Sequence, residues 1–129
     1  MKKDISTIDD IKLLVDAFYT RVQENSLLSG VFNERILDRW PSHLEKMYRF
    51  WQTVLLDEHT YNGSPFTPHA RLPVNETHFE KWKELFYQTV DENFAGDKAE
   101  EAKWRAGKMA EMFYHKITYY QNNPDKILL

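Results

Sequence analysis

The side chains with chemistry to offer are five histidines, seven tyrosines and four tryptophans, in a chain without cysteine. Lacking thiols, it forms no disulfide, no iron–sulfur cluster and no thiolate nucleophile. What remains is imidazole as base or metal ligand, and phenol and indole as donors carried on apolar bodies. The imidazoles are His43, His59, His69, His78 and His115. None has a glutamate three residues before it, so the paired Glu-x-x-His of a di-iron bundle is missing. The His-Glu-x-x-His of zinc hydrolases is missing as well. Glu111 and His115 share a helix face at a spacing that usually marks a solvated pair. His59 and His78 stand at helix edges, where solvent is the expected neighbour.

His69 and His43 differ from these. His69 sits in Tyr61-Asn62-Gly63-Ser64-Pro65-Phe66-Thr67-Pro68-His69-Ala70-Arg71-Leu72-Pro73, which holds three of the five prolines. Proline fixes φ and removes a donor, so neither helix nor central strand runs through it. Irregular connections of this length are usually functional in compact domains. A proline-pinned loop is a good mount for a metal ligand, because the ring is ordered beforehand. His43 lies four residues before Met47 and eight before Trp51, along the apolar face of a predicted helix. Tyr19 and Trp82 border the apolar stripes of two other helices, each with a polar tip that needs a partner when buried. Taken singly, each has a plainer reading: a solvated loop histidine, a rim histidine with a water partner, or core aromatics bonded to carbonyls. One arrangement uses all four. An apolar slot receives a flat cofactor, His69 binds its metal from one side, and Tyr19, His43 and Trp82 offer donors on the other. Haem iron with one histidine ligand leaves the opposite position open for a diatomic ligand.

The elements that must position these groups are helical. Ser6 to Asp9 reads as a capped helix start, with apolar residues at Ile8, Ile11, Leu14, Val15, Phe18 and Val22 and an end near Glu24. Glu34 to Asp38 reads as a short helical turn. Pro41 suits the first turn of a helix bearing Trp40, Leu44, Met47, Tyr48, Trp51, Val54 and Leu55. Asn75 caps a third long helix bearing Phe79, Trp82, Phe86, Val90 and Phe94, closed by Gly96 as a C′ residue. Asp97 with Glu100 suggests a capping box for a last helix carrying Ala102, Ala106, Met109, Phe113, Ile117 and Tyr120 inward, stopped at Asn122-Asn123-Pro124. The expectation is all-α, with four long helices and a long break around His69.

Composition sets the outer bounds. A chain of 129 residues predicts a single domain, its core running from about 8 to 120 with a tail at 121–129. An aromatic fraction of 15% supplies large rings able to line a pocket for a flat apolar ligand. A net charge of −3 gives no electrostatic reason to expect nucleic acid or an anionic membrane. No apolar run approaches the roughly 20 residues that span a bilayer. The start, Met1-Lys2-Lys3-Asp4, leads into an acidic amphipathic stretch, not a signal core. The absence of cysteine fits a cytoplasmic location, which is the expectation.

These residues carry a family likeness. Ala17-Phe18-Tyr19, Gly30-Val31-Phe32-Asn33, His43-Leu44-Glu45-Lys46-Met47 leading to Phe50-Trp51, Tyr61-Asn62-Gly63, Pro68-His69-Ala70-Arg71-Leu72-Pro73 and Phe79-Glu80-Lys81-Trp82 follow one another in family order. The sequence resembles the truncated haemoglobins, most closely their group III branch, over roughly Ile8 to Tyr120. The absence of any Gly-Gly pair separates it from groups I and II. Met47 departs from the isoleucine or leucine commoner at that position.

The resemblance implies a two-over-two helical sandwich around haem b. It implies His69 as proximal iron ligand, Tyr19 and Trp82 as distal donors, and His43 as a distal histidine that can act as a gate. Phe32 would wedge against the haem, Met47, Phe50 and Trp51 would form its wall, Tyr61 would stand beside the proximal loop, and Lys46 would reach a propionate. The function implied is binding of O₂ and other diatomic ligands, with redox chemistry on the bound ligand: dioxygenation of NO or handling of peroxide, served by a reductase still to be identified. The alternatives are ligand binding, storage or sensing without catalysis, and a haem-free helical interaction module.

Overall fold

In the computed structural model of the chain, residues 2–63, 66, 69–70 and 72–123 are described. They form five helices and no strand: α1 Ile8–Glu24, α2 Ser29–Ile36, α3 Trp40–Leu56, α4 Glu76–Asn93 and α5 Asp97–Asn122. The all-α expectation holds. Ser64, Pro65, Thr67, Pro68 and Arg71 of the His69 loop, and tail residues 124–129, lie outside the described residues.

The helix starts follow capping chemistry. At α1 the Thr7 side chain accepts from the Asp10 backbone N–H, and Asp10 reaches back to the N-cap N–H, closing a box one residue later than the Ser6–Asp9 pair. The Asp10 carboxylate also accepts from the Ser6 N–H at 2.9 Å and pairs with Lys3 at 2.8 Å. Pro41 lies in the first turn of α3, where its missing N–H costs nothing. Asn75 caps α4, accepting from the Thr77 N–H at 3.0 Å.

Three expectations are corrected. Helix begins at Ser29, well before Glu34, because Gly30 has nothing within 4 Å of where a Cβ would stand and is no turn residue. Gly96 does not close α4, whose C-cap is Phe94 in extended conformation; it is the N-cap of α5, at φ 133°. The Asp97–Glu100 box does not form either. The Asp4 carboxylate, from the far end of the sequence, accepts from the Lys98 and Ala99 N–H groups at 2.9 Å each. Gly96 must be glycine there, since a Cβ would lie 2.6 Å from Asp4 Cγ.

Packing gives two helix pairs, α1 with α3 and α4 with α5, joined by α1 against α4. The shared core holds the aliphatic residues Ile11, Leu14, Val22 and Val90. Among its aromatic members, Trp51 and Trp82 both stack on Phe86, with ring centroids 5.1 and 5.6 Å away, and Phe18 meets Phe86 edge-on. Phe18, Trp51 and Trp82 of this cluster also line the site.

Candidate functional site

Between the two pairs lies an apolar cleft of about 860 Å³, counting the part open to solvent. α1 contributes Phe18 and Tyr19, and α3 contributes Met47, Phe50 and Trp51. The loop contributes His69, α4 contributes Trp82 and α5 contributes Phe113. Phe32, from α2, completes one wall. Residues some sixty positions apart thus converge as the four-group arrangement requires, with His43 placed just behind the lining.

His69 is placed by backbone turns. Its N–H donates to the Phe66 carbonyl at 2.7 Å, and its own carbonyl accepts from the Leu72 N–H at 3.1 Å. The ring lies against Phe113, centroids 4.9 Å apart, so an α5 side chain sets its tilt. Tyr19 is buried at 7% exposure, and loss of water pushes its phenol above the usual range, leaving a neutral O–H donor. Trp82 is held between Phe18, edge-on at 5.4 Å, and Phe86.

His43 does not line the cleft. It sits behind Tyr19, its ring edge-on to Tyr19 at 5.2 Å and to Trp40 at 5.8 Å. Burial, with neighbouring His69 and Lys46, pushes its imidazole down to about 4, so the ring is neutral at pH 7. Its Nε2 is buried without a hydrogen-bond partner among the described residues. Lys46 is exposed and outside the lining. Tyr61 stands one layer back, its ring 5.5 Å from Phe50 and its N–H held by Thr53 Oγ1 at 3.0 Å.

The expectation for His78 is corrected. It is half-buried and lines the cleft. The available signal was spacing: His78 precedes Trp82 by four residues and so shares its helix face. His59, Glu111 and His115 are exposed, as the sequence suggests.

The donor set decides what the cleft can hold. Among the described residues no three histidine or carboxylate groups converge on one point, so side chains alone offer no cage for a bare ion. An apolar slot with one imidazole, His69, from the loop and a second, His78, engaged at its Nδ1 in the α4 cap suits a metal whose remaining ligands arrive with it in a flat macrocycle. Behind the lining, the buried His43 Nε2 next to Tyr19 has no hydrogen-bond partner among the described residues, a polar group left for a guest or a rotated side chain to satisfy. The residues present therefore fit haem. No helix among the described residues is long and apolar enough to cross a membrane.

Comparison with known proteins agrees. A family model described as bacterial-like globin matches residues 4–118. A group 3 truncated haemoglobin from Campylobacter jejuni is 29% identical over 124 residues, covering 93% of this chain and 98% of that protein. The crystal structure of a group III truncated haemoglobin from the same species superposes with a TM-score of 0.83, over 91% of this chain and 95% of that one, at 29% identity.

Proposed function

The chain belongs to the bacterial-like globins, a truncated haemoglobin that binds small diatomic ligands such as O₂ through haem, and from that premise we propose that it retains O₂ for reaction and does not deliver it. The observation that carries this reading is the pairing of one imidazole, His69, with two donor side chains, Tyr19 and Trp82, in one apolar cleft.

His69 would hold the iron, with Phe113 fixing the ring and the Phe66 carbonyl fixing the backbone. The cofactor would be haem b; with no thiol in the sequence, the thioether attachment of a c-type haem is excluded. When bound, haem supplies an iron with one position open to a diatomic ligand. Tyr19 and Trp82 would offer donors to a ligand in this apolar cleft, where covering by haem lowers the local polarity and strengthens each hydrogen bond. Such donors favour a ligand that develops negative charge. His43, neutral and unsatisfied at Nε2, stands ready to exchange a hydrogen bond with Tyr19 or with a polar guest after a rotation about its side chain.

The reaction favoured is dioxygenation of NO, in which NO, O₂ and an electron give nitrate, with peroxide handling as a second use of the same donors. The electron comes from a reductase, and a cytoplasmic location supplies one. An absorption spectrum with a Soret band, followed by NO consumption by the oxy form, tests the reading. A colourless protein returns a haem-free helical module. A red protein that releases O₂ fast and leaves NO untouched returns binding, storage or sensing.

A further inference from the structure

Among the described residues, Tyr19, Trp51, His69, His78 and Trp82 give the cleft its polar tips. Tyr19 and Trp51 are deeply buried, and His69 is engaged as the candidate iron ligand. His78 has no part in that scheme. It lies in the first turn of α4, half-buried where the cleft meets solvent.

Its ring is fixed, and so is its tautomer. The Asn75 backbone N–H points at His78 Nδ1 at 3.1 Å. A backbone N–H can only donate, so Nδ1 must be the bare, accepting nitrogen. The nearby Asn75 Oδ1, also 3.1 Å from Nδ1, already accepts from the Thr77 N–H and so does not need the imidazole proton. The neutral ring therefore carries its hydrogen on Nε2. That nitrogen is a donor with no lone pair to offer a metal, which sets His78 apart from His69.

Haem is amphipathic: an apolar macrocycle with carboxylates along one edge. Carboxylates are not left unpaired in an apolar slot, so that edge belongs at the mouth. Lys46, the sequence candidate for this partner, is exposed and outside the lining. We propose that the His78 Nε2–H donates a hydrogen bond to a haem propionate, and that the capping box of α4 holds the imidazole in position for it. The inference rests on the haem-binding reading of the cleft and adds the residue that orients the cofactor's acidic edge. Because the ring is already fixed by the cap, little freedom is lost on binding.

The test is a cycle between one side chain and the carboxylates. His78→Glu keeps the capping box, since glutamate at this position accepts the same N–H, but it removes the donor and adds a like charge. Wild type and His78→Glu are each loaded with haem b or with its dimethyl ester, whose carboxylates are masked. Haem release is then followed as transfer to an excess of a scavenger apoprotein. With haem b, His78→Glu is expected to release about tenfold faster or more, the size of one charge-assisted hydrogen bond. With the dimethyl ester the two proteins are expected to release at the same rate. The wild type alone provides a second measurement, independent of any variant: it should lose the ester faster than haem b. Equal release of haem b by both proteins, or an equal deficit with the ester, overturns the assignment. Failure of wild type to take up either compound overturns the haem reading itself.

Discussion

Tyr19→Phe removes one oxygen from a buried ring that otherwise stays in place against Phe18 and Phe32. A hydrogen bond of about 1–1.5 kcal/mol corresponds to roughly a tenfold change in equilibrium, and for a held ligand most of it appears in the off-rate. O₂ gains negative charge on binding whereas CO barely does. Stopped-flow mixing should therefore show O₂ leaving Tyr19→Phe about tenfold faster than wild type, with CO release much less affected. Trp82→Phe tests the second donor in the same way. Unchanged O₂ rates in both variants would remove the donor pair and restore delivery as the better reading. His69→Ala is expected to lose haem or hold it weakly, seen as loss of the Soret band after gel filtration; normal retention would move the assignment to His43. At this scale the sequence picked out residues that the structure places together in one cleft. His69, Tyr19 and Trp82 were legible because each interrupts or borders an apolar pattern. His78 was not, because its position beside a helix cap reads as solvent until the helix is seen leaning on the cleft.

Helix starts were legible from hydroxyl and amide caps close in sequence, as at Thr7 and Asn75. The start of α5 was not, because its cap, Asp4, lies more than ninety residues away and only the fold brings it there. Removing a cap of this kind typically costs about 1 kcal/mol, up to about 2. Asp4→Ala should thus lower the melting temperature by a few degrees in a circular-dichroism melt, whereas Asp97→Ala, at the box that does not form, should change it less. Asp10 adds a pH dependence. Burial pushes its carboxyl up, but Lys3 and the Ser6 and Thr7 N–H groups outweigh this and hold it at about 2, below the ordinary 3.8. A folded value below the unfolded one means stability that is fully present above about pH 4 and lost as pH falls through about 2. Across that window Asp10 contributes about 2 kcal/mol. Urea unfolding at stepped pH should show Asp10→Asn less stable than wild type at neutral pH, with the gap closing toward pH 2. A gap that stays constant would mean that the carboxylate charge is not what stabilises α1.

Over the whole molecule, two helix pairs meet along α1 and α4, where Phe18 and Trp51 pack on Trp82 and Phe86, and the same aromatic cluster borders the cleft. Phe18, Phe50, Trp51, Trp82 and Phe113 each present surface to that space. Of these, Phe50 and Trp82 are only half-buried, and each Å² of apolar surface that a ligand covers contributes about 25 cal/mol. Haem is thus a missing piece of core, and its binding should stabilise the folded chain by mass action. With free haem at about a thousand times its dissociation constant the gain is about 4 kcal/mol. For a domain of this size that raises the melting temperature by roughly ten degrees or more. The check is a pair of thermal melts, apo and haem-loaded, with the loaded protein repeated at several haem concentrations. Linkage requires the midpoint to climb with the logarithm of free haem, a dependence that no fixed difference between two preparations can imitate. Coincident melts would mean that the rings close on each other without the cofactor. The cleft would then be an incidental gap between helix pairs, and the roles assigned to His69, Tyr19 and His78 would fall together.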